Sequence, residues 1–295
     1  METKGKKTPL IILATYWNER YFIEPSLRQI EALNPSEIII ADGCFNPRVS
    51  NYSTDGTREI IEKFIATHPN ARMIPALRPG IFKAAWLLLR GHKHLPWWTI
   101  FRLSRWKFLL VSLMRVPYQR NEGITFQHMI SVSKEWKPGF WFTSYDADQF
   151  YSDEMIKEMA RIMDNNPENI DLMTATEMTF FKDFSHYTTS LVKRISSNMP
   201  NRIYPDTTIQ PQRSIIRETK SGEMRGLRDI LAKHLYVRFV KQKNVGFYFH
   251  YKLNPPSRLN AGYQVGNRGR PNPEHYEMKE FTGKHPRVAR EYFGL

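Results

Sequence analysis

Two carboxylates, Asp146 and Asp148, close an apolar, aromatic stretch that runs from Gly139 to Tyr145 as Gly-Phe-Trp-Phe-Thr-Ser-Tyr. Such a run reads as a buried strand, and residues at i and i+2 of an extended chain lie on the same side. Carboxylates are rarely buried without a partner, and two that close repel unless a proton or a cation sits between them. A hard divalent cation is the economical partner. Mg²⁺ in particular is shared between one or two carboxylates and substrate phosphates. The chemistry suggested is a metal–diphosphate site at the C-terminal end of a strand. The competing reading is a solvated surface turn, in which such triplets are common.

Positioning these groups falls to the elements around them. Pro9 to Thr15 and Glu37 to Ala41 are short continuous apolar runs, the pattern of strands buried on both faces. Helices read through Leu27, Ile30 and Leu33, and over Arg58–Thr67, where Ser53, Thr54 or Asp55 stands ready as cap. Further strands read over 71–75, 171–181 and 245–250. A helix reads over 122–136 and another after Ser152, with Met155, Met159, Ile162 and Met163 on one face. Helices also read around Thr189–Ser196 and Arg228–Lys233. Strands alternating with helices give an α/β fold: a mainly parallel, mixed sheet flanked by helices. In such sheets ligands bind beyond the carboxyl ends of the strands. Three of the first four strand ends carry acids: Glu19, Asp42 and the Asp146/Asp148 pair.

The chain has 295 residues, 41% hydrophobic and 24% charged, a globular composition with room for a sizeable core. One cysteine, Cys44, excludes an internal disulfide framework and a cysteine-rich zinc site. It fits a reducing, cytoplasmic setting. The N-terminus lacks the features of a signal peptide. The net charge is +14, which favours anionic partners.

Together, Asn18-Glu19 after the first strand, Asp42-Gly43 after the second, Asp55-Gly56-Thr57 opening a helix and the later Asp146-Ala147-Asp148 resemble the nucleotide-sugar glycosyltransferases of family 2, with the glycosyltransferase-A fold. The likeness covers residues 8–165 well and the remainder loosely. Two departures stand out. Residues 44–52 lengthen the loop after the second strand, and 76–120 insert where the family has a short link. The resemblance implies a catalytic domain over 1–250, with a nucleotide-binding half at 8–165 and an acceptor half at 166–250. Residues 251–295, rich in Pro, Gly, Asn and Arg, read as an extended arm over the surface.

The resemblance also implies an activity and a set of roles. The activity is inverting transfer of a sugar from a nucleoside-diphosphate sugar, UDP first, to a glycan or lipid-linked acceptor. Asp42 would hold the base, Thr15, Asn18 and Glu19 would line the nucleotide, and Asp148 would bind Mn²⁺ or Mg²⁺. Asp146 would sit by the ribose or in the metal's shell. His250, at the end of a late strand, is assigned as third metal ligand against a hydrogen-bonded core histidine. Lys252 and Arg258 are set over the pyrophosphate against a solvated basic loop. A single displacement needs a carboxylate to take the acceptor's proton. Glu177, Asp183, Asp206, Glu218 and Asp229 are the candidates. Asp206 comes first, in a Pro-rich polar loop, against a turn cap, and Glu177 second. A nucleotidyltransferase would share the metal logic but wants a glycine-rich phosphate loop, and residues 14–20 hold no glycine. A basic, non-catalytic nucleic-acid or membrane-binding protein on this fold is the reading from another class.

The insertion is unlike the rest of the chain in charge. From Ile81 to Asn121 there is no Asp or Glu, while Lys83, Arg90, Lys93, Arg102, Arg105, Lys107, Arg115 and Arg120 interleave with Trp, Leu and Phe. No apolar span reaches the length that crosses a bilayer. Three readings stand open. One is an amphipathic helical hairpin peripheral on the anionic cytoplasmic face of a membrane. The others are packing on its own domain and a homo-oligomer contact. Nucleic acid is not expected, because bulky Leu runs do not serve base stacking.

Overall fold

The computed structural model describes residues 7–101, 106, 109–110, 112–114, 116–181, 183–189, 199–204, 208–209, 215–216, 241–252 and 277–295. Of the expected helices at Thr189–Ser196 and Arg228–Lys233, all residues but Thr189 lie outside them, and Thr189 is in a bend.

Four parallel strands form the frame: β1 (Thr8–Tyr16), β2 (Pro35–Asp42), β3 (Ala71–Pro75) and β4 (Trp141–Tyr145), in spatial order β3-β2-β1-β4. Their period of two sorts the core into two layers. Leu10, Ile12, Ala14, Ile38 and Ile40 face one side. There they meet α1 (Ile23–Ala32), α2 (Thr57–Thr67) and α5 (Asp153–Asn165) through Leu27, Ile30, Ile61, Phe64, Met155 and Met159. Ile11, Leu13, Ile39 and Ala41 face the other side. There they meet Phe126, Met129 and Ile130 of α4 (Pro117–Val132). Both faces are covered, so these strands are continuously apolar rather than alternating. Helix α4 starts earlier than the apolar pattern suggests, because Pro117 at its first turn is preorganised for the helix. Ser152 caps α5 by accepting the Met155 N–H at 3.2 Å, as expected.

Beyond β4 the sheet becomes mixed. β5 (Gln149–Tyr151) is antiparallel to β11 (Gln242–Lys252), and β11 runs parallel to β6 (Leu172–Phe181). β7 (His186–Thr188) and β8 (Asn201–Arg202) pair antiparallel with β6, β8 also with β4, while β9 (Thr208–Ile209) and β10 (Ile215–Ile216) form a small separate sheet. The described part of the tail contains a short strand and a short helix. β12 (Lys279–Glu280) pairs with β7, and α6 (Arg287–Phe293) buries Val288 and Ala289 in the main core. Phe281, His285 and Phe293 join an aromatic cluster with Phe180 and Tyr251, which holds the chain end to the sheet. The described part of the insertion contains α3 (Ile81–Arg90) and a 3-10 turn at Trp97–Phe101.

Candidate active site

The register of the sheet gathers the acidic residues at one edge. Asp42 pairs with Tyr16 and Tyr145 pairs with Ala14, so β2, β1 and β4 end nearly level. Two strand spacings of about 4.8 Å put the ends of β2 and β4 about 10 Å apart.

At the β2 end, Asp42 is 1% exposed. Its Oδ1 accepts the Ser53 hydroxyl at 2.6 Å and the Ser53 N–H at 3.3 Å. Its Oδ2 faces Arg58 Nη1 at 3.4 Å. Burial pushes the carboxyl above the usual carboxylate range, against the downward pull of Ser53 and Arg58. The loop after β1 is fastened to the same segment. The Asn18 N–H donates to Ser53 Oγ at 3.0 Å, and Asn18 Oδ1 accepts the Thr54 N–H at 2.8 Å. Asn18 adopts φ 54°, which asparagine tolerates better than most residues. The Glu19 N–H donates to Thr57 Oγ1 at 2.8 Å, and Asp55 Oδ2 accepts the Arg20 N–H at 3.0 Å. Asp55 Oδ1 also takes the Thr57 N–H and hydroxyl, so its side chain serves the turn into α2, but the N-cap is Gly56 at φ 92° and none of Ser53, Thr54 or Asp55 caps the helix. Thr15 is partly exposed and Glu19 is buried.

Three features that sequence reasoning missed hold the long loop at 44–52. Arg78 donates to the carbonyls of Cys44 at 2.5 Å, Val49 at 2.7 Å and Ser50 at 2.8 Å. Asn121, from the first turns of α4, donates to the Phe45 carbonyl at 3.0 Å. Gly43 has φ 142°, and a Cβ there would stand 2.1 Å from the Asn51 carbonyl oxygen. The signal in the sequence was the glycine directly after a strand-end aspartate.

At the β4 end, Asp148 is 6% exposed and Asp146 is half-buried. The antiparallel pairing of β5 with β11 sets His250 opposite Gln149, and the Tyr251 N–H donates to the Asp148 carbonyl at 2.8 Å. His250 Nε2 consequently lies 3.4 Å from Asp148 Oδ1. On its other side, His250 Nδ1 is 2.6 Å from Glu177 Oε1. Tyr248 and His250 share a face of β11, as Glu177 and Thr179 share a face of β6. Thr179 donates to Glu177 Oε1 at 2.7 Å, and the Tyr248 hydroxyl donates to Oε2. Burial alone would raise the Glu177 carboxyl, but His250, Tyr248 and Thr179 overcome it and hold it down at about 2. Burial and Lys252 push the His250 imidazole down. Asp148 and Glu177 outweigh both, and the group ends above its ordinary value.

Lys252 is partly exposed at the end of β11, paired with Phe181. Asp183 is an exposed turn residue that accepts the Ser185 and His186 N–H groups. Asp206, Glu218, Asp229 and Arg258 lie outside the described residues. Among the described residues no three His, Cys, Asp or Glu side chains converge as a closed metal cage. The donor set of Asp148 and His250 nevertheless suits a cation whose remaining ligands come from water and substrate.

No family model matches the sequence, and no curated protein matches it. Solved structures do. S. aureus TarS, residues 1–349, is 14% identical with a TM-score of 0.35, over 67% of this chain and 47% of that one. A mannosyltransferase from Pyrobaculum calidifontis, in complex with GDP-Man and Mn²⁺, is 12% identical with a TM-score of 0.33, over 59% of this chain and 36% of that one. Glucosyl-3-phosphoglycerate synthase from Mycobacterium tuberculosis, in complex with Mn²⁺, UDP and glucosyl-3-phosphoglycerate, is 13% identical with a TM-score of 0.37, over 87% of this chain and 76% of that one. The chain thus spans less than half the length of the first two.

Proposed function

We propose that this protein is a metal-dependent glycosyltransferase that takes a nucleoside-diphosphate sugar as donor. The observation that carries the proposal is the line Asp148–His250–Glu177, drawn together by the pairing of β11 with β5 and β6. A histidine that presents one ring nitrogen to a carboxylate and has the other held by a second carboxylate is the arrangement of a metal ligand with its orienting partner. Asp148 and His250 would hold Mn²⁺ or Mg²⁺, with Asp146 beside them. The cation would neutralise the charge that develops on a leaving diphosphate.

The chain's own residues do the rest. Asp42, about 10 Å away along the sheet edge, is set for the base, with UDP as the first donor to try. Its Oδ2 has the long contact to Arg58 and is the oxygen free to exchange partners with a base N–H. Asn18, Glu19 and Thr15 would line the nucleotide between them, and Lys252 would stand at the diphosphate end, where Arg258 is a further candidate. Glu177 is better fitted to orient His250 than to take a proton. Both of its oxygens are engaged, and a carboxyl held at about 2 is a weak base. Asp206 remains the candidate base for inverting transfer to a glycan or lipid-linked hydroxyl.

A hydrolysis screen across nucleotide sugars with Mn²⁺ tests the proposal. Slow release of nucleoside diphosphate from one donor, abolished by EDTA, is the expected result, and none from any donor counts against it.

A further inference from the structure

We propose that the outward face of α3, with the 3-10 turn that follows it, is a docking surface for an anionic lipid bilayer. Helix α3 has two faces. Its inner residues Ala84, Leu88 and Leu89 form a separate small core with Leu109 and Ile124. The aromatic residues on the outer face are therefore not the remainder of an unfinished core. On the outer face stand Phe82, Lys83, Trp86 and Arg90, all exposed, Phe82 at 89%. A water-facing helix ordinarily shows mixed charged and polar residues there. Here the face is aromatic and cationic only. The same chemistry continues beyond α3, where Trp97 is 75% exposed, Phe101 71% and Met114 76%.

Charge decides between the occupants this face could take. No acidic residue occurs from 81 to 121, while eight Lys and Arg do. A two-fold contact between copies places the same patch on both sides, and it would set Lys83 and Arg90 against their own copies with no acid from 81–121 to pair them. A bilayer rich in anionic headgroups supplies the opposite charge, and its interface accepts Trp, Phe and Met. Among the described residues no helix is long and apolar enough to cross a membrane, so the contact is peripheral. The segment that leads into α3 is tied to the end of β2. The Ala76 N–H donates to the Asp42 carbonyl at 3.2 Å, Arg78 fastens the loop after β2, and α3 begins at Ile81.

Flotation of the full chain with vesicles tests this. The vesicles are phosphatidylcholine alone or with about 30% phosphatidylglycerol, at low and at 0.5 M salt. The expected result is recovery with the anionic vesicles, about tenfold less with phosphatidylcholine alone, and a severalfold loss at high salt. Phe82→Ser/Trp86→Ser and Lys83→Glu/Arg90→Glu should each lower recovery about tenfold with unchanged melting temperature, because all four side chains are exposed. No recovery with either vesicle, equal recovery with both, or outer-face variants that float like the parent would overturn the proposal. So would a dimer in solution that the same variants dissociate, or binding to single-stranded DNA tighter than to vesicles. Flotation needs no donor turnover, so its failure leaves the donor-site reading intact.

Discussion

His250 and Asp148 meet because β11 is inserted between β5 and β6. Its antiparallel register with β5 sets His250 Nε2 3.4 Å from Asp148 Oδ1, and its parallel register with β6 sets the other ring nitrogen on Glu177. Two residues 102 positions apart thus become neighbours through backbone pairing alone, and the carboxylate that orients the ring comes from a third strand.

Glu177→Gln separates an orienting role from a proton-accepting one. The amide keeps one oxygen for His250 but loses the charge and a good acceptor for Tyr248. Metal-dependent nucleotide binding should weaken about 10- to 100-fold, the usual cost of losing an orienting partner. Titration calorimetry with UDP and Mn²⁺ reads it. Normal binding with turnover abolished would instead make Glu177 the base.

Asp42→Asn should uncouple stability from binding. Burial raises the Asp42 carboxyl above its ordinary value of 3.8. A raised carboxyl contributes stability below its unfolded pKa and loses it as pH rises through the folded value. The wild type carries that cost at neutral pH and the variant does not. Asp42→Asn should therefore melt within about 1 kcal/mol of the wild type near pH 4 and gain on it toward pH 7. Its affinity for the nucleoside should fall at least tenfold, since an amide presents an N–H where a carboxylate accepted one. Melting curves across pH and a nucleoside titration check both halves.

Gly43→Ala should be among the most damaging single-methyl changes in the chain. The added Cβ would stand 2.1 Å from the Asn51 carbonyl oxygen and 2.9 Å from the Ala76 Cβ, on a backbone at φ 142°. A cost of about 2–4 kcal/mol is expected, read by chemical denaturation.

Arg78→Met should release the loop at 44–52, since three carbonyls lose their guanidinium donors. Limited tryptic cleavage after the exposed Arg48 should accelerate about tenfold, with the melting temperature of the domain little changed.

Three of the four parallel strand ends were legible because each carries a carboxylate after an apolar run, and a carboxylate in that place must find a partner or a ligand. His250 was legible as the polar end of the apolar run 245–250, which β11 continues to Lys252. Its link to Glu177 was not, because strand order is set by pairing across 73 residues, which no local pattern records. The loop at 44–52 was visible only as an excess of length. Its support comes from Arg78 at the start of the insertion and Asn121 after it, so its order depends on a segment that read as foreign to the fold. In the tail, composition pointed to Pro, Gly and Asn and gave no sign of the short helix whose Val288, Ala289 and Phe293 pack on α1 and the aromatic cluster.

The most direct test is the melting temperature of wild type and Asp148→Ala with UDP or GDP, each with and without Mn²⁺. A rise in the wild type that requires both nucleotide and metal, and is lost in Asp148→Ala, is the predicted result. No rise with either nucleotide, or an equal rise in the variant, would contradict a metal–diphosphate site at Asp148.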